Sequence, residues 1–347
     1  MKAHYAINPV GVFAYSESGE LLAAAFFPKD PAQIVERLKK AEQGQLVPED
    51  SELVRQLTGK ADSMVWDKKV CVPGLQCLEE PSKAAPFAAR DFRALAAERK
   101  WATPIELNQL LSQVQVLRTR AQLSAQPRDA LLMQASNAYD NVEKAANTLT
   151  EHLREWYGLH DPAAGSLSNE QLLAAAAQSP DAGTGPRPPA PAETPPGGMP
   201  FTEQDRAAAK QFTEAIQALA AERSALEHYL EQLAPTIAPN CSAIAGPVLA
   251  AKLLAMAGGL ERLARLPAST IQLLGAEKAL FRHLKGQGKA PKYGLLFAHP
   301  AVQQAKEKGK AARLVAAKLS LAARVDFYRK SLEPTLKAEL ERKLKGV

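Results

Sequence analysis

Apolar and polar residues change their period several times along the chain, and each change predicts a different kind of element. His4-Tyr5-Ala6-Ile7 and Val10 to Tyr15 read as strands, Ser16 to Glu20 supplies turn residues, and Leu21 to Phe27 continues as a further apolar run. This pattern predicts a meander. Asp30-Pro31 then opens an amphipathic helix through Ile34, Val35 and Leu38, Pro48 to Leu57 predicts a second, and Ser63 to Val72 a further strand. From Thr103-Pro104 the period becomes that of a long helix, with Leu107, Leu110, Val114, Leu117 and Ala121 every three or four residues. Pro127 interrupts it, and the pattern resumes near Leu131 through Ala135, Ala138, Val142, Ala145 and Leu149 to Leu153 and Trp156.

Ser179 to Pro200 holds eight Pro and four Gly among 22 residues, which predicts a linker or flexible loop. Helix returns at Thr202, whose spacing to Asp205 is that of a capping box, and Phe212, Ile216, Leu219, Leu226, Leu230 and Leu233 keep a seam interrupted by Arg223. Two such helices joined by a loop predict an antiparallel coiled-coil hairpin. The seam sets no oligomer number, so packing on itself and self-association both stay open. Beyond Pro235 and Pro239 the pattern predicts a buried helix at Ala243 to Ala257 stopped by Gly258-Gly259. Short helices follow at Leu260 to Leu266 and Ile271 to Lys285, then a basic loop with Gly286, Gly288 and Pro291, and a helix from Lys310 to Tyr328. The fold class is α+β. A small mixed α/β N-terminal domain is expected at 1–102 and a coiled-coil domain with its Pro/Gly-rich loop (179–200) at 103–235. An all-helical domain at 236–330 and a basic tail at 331–347 complete the chain.

Charge changes this picture more than composition does. The chain has 347 residues, 46% of them hydrophobic, enough for two or three domains with buried cores. Its net charge of +6 conceals a division. From Cys241 onward there are 20 Lys and Arg against 7 Asp and Glu, whereas the first 240 residues hold 23 basic and 30 acidic side chains. Between Lys278 and Lys330 thirteen basic residues face only Glu307 and Asp326, interleaved with apolar positions, as on a folded surface that meets a polyanion. No run of about 18 uncharged apolar residues predicts a membrane span, and Met1 to Pro9 lacks the regions of a signal peptide, so a cytoplasmic location is expected. Cys71, Cys77 and Cys241 are too few for a disulfide framework and are expected to be reduced and structural.

Catalytic motifs are absent from the sequence. The six histidines show no H-E-x-x-H spacing, and no G-x-S-x-G elbow occurs. Gly286-Gln287-Gly288-Lys289 lacks the full phosphate-loop spacing and is followed by Ala290, and the dinucleotide fingerprint lacks its third glycine. These observations predict a binding protein without catalytic residues, metal or cofactor.

Six blocks in order carry a family resemblance: Ile237 to Asn240, Ala257-Gly258-Gly259-Leu260, Leu266 to Gln272, Leu274 to Arg282, Gly309 to Arg313, and Ala322 to Asp326. Together they resemble the Nop domain, and Leu153 to His160 resembles the segment entering the coiled coil of archaeal members of that family. The resemblance implies a core scaffold of the archaeal box C/D small ribonucleoprotein, which directs 2′-O-methylation of ribosomal RNA. The implied partners are fibrillarin, which carries the methyltransferase activity and binds the N-terminal domain, a kink-turn-binding ribosomal-type protein, and box C/D guide RNA with its target rRNA. A second copy joins through the coiled coil as a homodimer, and no membrane is involved. A spliceosomal-type Nop-domain assembly protein, a helical DNA-binding protein and an RNA-methylating enzyme are the alternatives.

The candidate RNA-binding residues are Glu277, Lys278, Arg282, His283, Lys285, Lys289, Lys292, His299, Lys310, Arg313, Lys318 and Arg324. Of these, Gly275-Ala276-Glu277-Lys278 and Leu280-Phe281-Arg282 match family elements near the RNA. Arg282 is expected on phosphate and Phe281 in the core. Leu149, Leu153, Trp156, Phe212, Ile216 and Leu219 are the dimerisation candidates. Departures from the family pattern are Asp161-Pro162-Ala163 after His160, Tyr293 where a histidine is common, and His283 where a small residue is common.

Overall fold

A computed structural model describes residues 1–66, 75–78, 80–177 and 197–346, and divides them into two compact units, Met1–Gln126 and Pro127–Val347. In the first unit β1 (Lys2–Asn8), β2 (Gly11–Tyr15) and β3 (Leu21–Phe26) form the expected meander, followed by α1 (Pro31–Glu42) and α2 (Pro48–Leu57). Two short strands, β4 (Ser63–Val65) and β5 (Gln76–Leu78), complete a sheet of order β3-β2-β1-β4-β5, with parallel pairing at β1/β4 and β4/β5. Alternation along the strands fills two cores, one on each face. Tyr5, Val12 and Ala14 pack with Ile34 and Leu53, while Ala6, Phe13 and Tyr15 pack with Ala88 and Ala96 of α3 (Ala85–Glu98).

The next helix, α4 (Pro104–Ser124), starts as its sequence dictates: Thr103 Oγ1 accepts the Glu106 N–H at 3.3 Å, and Glu106 Oε2 accepts the Thr103 N–H at 2.8 Å. These bonds hold the Glu106 carboxyl below the usual carboxylate range. Its apolar stripe, expected as part of a coiled coil, faces the sheet domain instead. Leu110 and Val114 enter one core and Leu107 the other. The first unit therefore ends at Gln126, beyond the expected boundary at 102.

The second unit opens with α5 (Asp129–His160), followed by a 3-10 turn (Pro162–Ser166), α6 (Asn169–Ala177) and α7 (Glu203–Ile237). Leu132 and Tyr139 share a core with Leu230 and Leu233, and Arg223 lies 3.3 Å from Glu143. Leu149 and Leu153 meet Phe212 and Ile216. The pairing runs in opposite directions along α5 and α7, so the two helices form an antiparallel hairpin. The buried positions of α5 are Asp129, Leu132, Ser136, Tyr139, Thr150 and Leu153. Leu131, Ala138 and Ala145, expected in the seam, are exposed. The Pro/Gly-rich loop and Cys71 fall largely or wholly outside the described residues. Where the chain returns, the Met199 N–H donates to the Leu159 carbonyl at 2.7 Å.

The C-terminal helices are α8 (Pro239–Ala245), α9 (Pro247–Ala257), α10 (Leu260–Arg265), α11 (Ala268–Leu273), α12 (Glu277–Leu284), α13 (Pro300–Gln304), α14 (Lys308–Tyr328) and α15 (Pro334–Leu344). They pack around α14, whose Ala311, Ala312, Val315, Ala316, Leu319, Ala322 and Ala323 are fully buried. The apolar run expected as one helix bends by 118° at Gly246, and among the described residues no single helix is long and apolar enough to cross a membrane. Residues 331–347, expected as a basic tail, instead carry α15, which buries Leu340 against this core.

One buried carboxylate fastens the bundle. Asp326, 1% exposed, accepts from the Asn240 backbone N–H at 3.0 Å, from Asn240 Nδ2 at 2.6 Å and from the Cys241 N–H at 2.9 Å. Asn240 in turn donates to the Ser331 carbonyl at 2.7 Å and accepts the Glu333 N–H at 2.6 Å, which ties the entry of α15 to the same point. Burial and the Asp326 charge push the Cys241 thiol well above its ordinary range, consistent with an inert structural cysteine. Replacing Asp326 by Ala leaves three buried donors without their acceptor. The expected cost is about 3 kcal/mol, or roughly 6–12 °C in the unfolding midpoint by calorimetry. A shift below about 2 °C would show that the network is dispensable.

Candidate nucleic-acid interface

The sequence predicts one helix from Ile271 to Lys285, but the chain breaks at Leu274–Ala276 because it meets a neighbouring strand of backbone. Gly275 has φ of 85°, a conformation that costs side-chain-bearing residues about 1 kcal/mol or more. The Leu295 N–H donates to the Leu274 carbonyl at 2.7 Å, the Gly294 N–H to the Gln272 carbonyl at 3.0 Å, and Gln272 Nε2 to the Lys292 carbonyl at 2.6 Å. A Cβ on Gly294 would run into the Leu274 carbonyl oxygen. These bonds clamp the root of an excursion, residues 276–293, that leaves the bundle and returns. Glu277 supports the root by accepting the Gly275 N–H at 2.8 Å, which makes it a positioning residue.

Within the excursion α12 buries none of its side chains. Lys278, Arg282, Lys285, Lys289 and Lys292 are all exposed; the ion pairs of this region among the described residues are elsewhere, joining Lys310 to Glu307 at 3.8 Å and Lys318 to Glu339. Gly286 and Gly288, with φ of 74° and 118°, turn the chain after α12, and His283 Nδ1 lies 3.0 Å from the Gly288 carbonyl. Phe281 and Leu284 are 63% and 69% exposed, which corrects the expectation of a core Phe281. The aromatic and aliphatic groups therefore lie among the cations, where they are available to a partner that offers both phosphate and base.

The excursion's end meets the start of α14. The stem of Lys292 lies 3.6 Å from where a Cβ on Gly309 would stand, and exposed Lys310 and Arg313 follow on the same helix. Three candidates lie elsewhere. His299 is buried, its Nε2–H donating to the Ile244 carbonyl at 2.9 Å and its Nδ1 accepting the Ala301 N–H at 3.2 Å, so it fastens α13 rather than facing solvent. Lys318 is 7% exposed and paired with Glu339, binding α14 to α15. Arg324 remains exposed but donates from Nε to the Ala264 carbonyl at 3.2 Å. Lys308 and Phe297, which are not among the candidates, join the cluster; the run Lys306-Glu307-Lys308-Gly309-Lys310 signals the lysine, and no motif signals Phe297. Among the dimerisation candidates, Leu153 and Ile216 are buried within the chain's own hairpin, leaving Leu149, Trp156, Phe212 and Leu219 partly exposed.

Comparison with known proteins gives matches at both ends. Residues 192–346 match the Nop family, described as snoRNA binding domain, fibrillarin, and residues 2–124 match the archaeal Nop5/56-related N-terminal domain. The latter range includes α4, in keeping with its packing. An uncharacterised NOP5 family protein of Methanocaldococcus jannaschii is 36% identical over 242 residues, 64% of this chain and 58% of that protein. Nucleolar protein 58 of Sclerotinia sclerotiorum is 34% identical over 265 residues, 66% of this chain and 46% of that protein. That of Schizosaccharomyces pombe is 37% identical over 226 residues, 60% and 44% of the two chains. The chain thus spans about half the length of the curated relatives it matches. A chain in a crystal structure of a fibrillarin/Nop5p complex aligns with a TM-score of 0.43 and 24% identity over 73% of this chain and 83% of that one.

The clamp has a direct test. Gly294→Ala is expected to loosen the root, raising amide hydrogen exchange across 276–293, whereas Gly286→Ala, whose Cβ meets open space, costs only about 1 kcal/mol of backbone strain and leaves exchange at the root unchanged. Equal exchange in the two variants would refute the clamp.

Proposed function

The chain belongs to the Nop family, and from that premise we propose that it is the scaffold subunit of a box C/D guide ribonucleoprotein. It binds kink-turn guide RNA already held by a kink-turn-binding ribosomal-type protein and recruits fibrillarin through the N-terminal unit. Fibrillarin then carries out RNA-guided 2′-O-methylation of rRNA. The observation that carries this reading is the excursion 276–293, a rigidly rooted projection with five exposed cations outside any ion pair among the described residues. Cations without protein partners retain their full interaction with phosphate, and neutralising phosphates releases the counterions that drive binding.

The division of charge supports the same arrangement, because the basic half is confined to the domain that offers the projection. The contribution to methylation is geometric: holding the reacting groups in register replaces a search in solution. A homodimer forms through the hairpin, using the still exposed parts of Leu149, Trp156, Phe212 and Leu219, while Leu153 and Ile216 are fully buried within the chain.

Purified chain with guide and target RNA is expected to transfer no methyl group from labelled S-adenosylmethionine, and transfer should start once fibrillarin and the kink-turn-binding protein are added. Methylation by the chain alone would end the scaffold reading. Neutralising Arg282 and Lys285 to Gln together should weaken assembly and reduce the slope of log affinity against log salt by about one unit per lost phosphate contact. Lys318→Gln should leave the slope unchanged because its ammonium is committed to Glu339. Equal affinity for plain duplex DNA would favour a DNA-binding protein instead.

A further inference from the structure

Where the excursion rejoins the bundle, the rings of Tyr293 and Phe297 lie parallel, with centroids 5.1 Å apart and planes 15° from each other. Tyr293 rests against the apolar core. Phe297, on a one-turn 3-10 segment (Leu295–Ala298), is 43% exposed. Lys308 places its Nζ 5.3 Å from the Phe297 ring centroid. Phe297 thus has the Tyr293 ring stacked on it, Tyr293 has the core behind it, and an ammonium stands beside the pair.

This arrangement differs from a buried aromatic pair in two ways. The outer ring is backed by a second ring and by the core, so its plane is fixed. It is 43% exposed with the Lys308 ammonium beside it, and Lys292 and Lys310 stand on the flanking segments. A fixed, accessible ring beside ammonium groups is how proteins hold unpaired bases, because every base has a π-face and each nucleotide brings a phosphate. A paired base inside a duplex, stacked on both sides, offers no free face to such a ring.

Resting on the reading above that this face binds RNA, we propose that Phe297 is the platform on which one unpaired nucleobase of the bound RNA stacks, Lys308 leaving the ring for the adjoining phosphate. The site adds a requirement for a single-stranded or flipped nucleotide to the sequence-independent phosphate contacts of the excursion.

The test uses the full chain, the kink-turn-binding protein and a kink-turn RNA carrying 2-aminopurine at each unpaired position in turn. One position should be quenched on assembly. Phe297→Leu and Phe297→Met should both abolish that quench and weaken assembly about tenfold, with the salt slope unchanged, while Phe297→Tyr retains both. Lys308→Gln should lower the slope by about one unit. If no position is quenched, or the Leu and Met variants assemble and quench like the parent while the Arg282 and Lys285 variant still loses affinity, the stacking proposal fails and the RNA reading stands. Failure of the parent chain to assemble on the RNA at all would remove both. A Phe297 variant that loses the kink-turn-binding protein in the absence of RNA would assign the ring to a protein contact, overturning the proposal.

Discussion

The buried carboxylate of Asp326 sets the frame on which the candidate interface is built. Removing a carboxylate from water costs several kcal/mol unless donors replace its hydration, and here three N–H donors from Asn240 and Cys241 do so. Two of them are backbone groups at the start of α8, donors that a helix leaves unsatisfied in its first turn. The same contact therefore settles the charge of α14 and the orphan donors of α8. Asn240 then extends the junction to Ser331 and Glu333, so that the end of α14, the start of α8 and the entry to α15 are held at one place. With α14 fixed along its length, the backbone that leaves α11 and returns at Gly294 has a rigid surface to close against.

A second junction connects this frame to the hairpin. Asp129 at the start of α5 accepts the Leu260 N–H at 2.8 Å, and Gly259 lies so close that a Cβ would stand 3.0 Å from the Asp129 carboxylate. Further along, Tyr139 has Lys252 Nζ 4.8 Å from its ring centroid and the Arg223 guanidinium 6.0 Å away, while Lys252 pairs with Asp140 at 2.7 Å. Leu132, Tyr139, Leu230 and Leu233 belong to the same apolar core as α9 and α14. The base of the hairpin and the helices around α14 thus share one close-packed core.

Local chemistry was legible in the sequence wherever a few neighbouring residues decide the outcome. The helix start at Thr103-Pro104, the capping box at Thr202, the stop at Gly258-Gly259 and the meander of the first unit all depend on short-range geometry. What escaped depends on distant partners. The stripe of α4 has helical spacing whichever surface it meets, so its pattern did not distinguish a coiled-coil partner from the sheet domain. The α5 seam was read one position off because Ser136 and Thr150 occupy buried positions where apolar residues were sought. Lys318 and His299 resemble surface groups in sequence, and only the approach of Glu339 and of the Ile244 carbonyl withdraws them. Phe281 was misread in the opposite sense, since nothing local shows that α12 has no bundle to bury against.

The fate of each cation follows from how far it stands from the bundle. Lys318 is buried on α14 where α15 packs, and a charge there must find a partner or carry an uncompensated desolvation cost, whereas Arg324 stays exposed and only its Nε is tied to the Ala264 carbonyl of α10. The excursion holds its cations exposed, only the stem of Lys292 approaching α14, so the charged groups keep their hydration and need no internal partner. That freedom lowers local stability, because side chains that touch nothing contribute nothing to holding α12 in place. The clamp at Gly275 and Gly294 offsets this by fixing the two ends of the segment with backbone bonds, which are insensitive to what the cations contact. A projection stabilised through its own charged groups would have to break those contacts to bind phosphate, whereas one held at its root binds with its framework unchanged. Strong attraction to a polyanion without loss of internal order is thereby achieved by separating the residues that hold the segment from those that carry its charge.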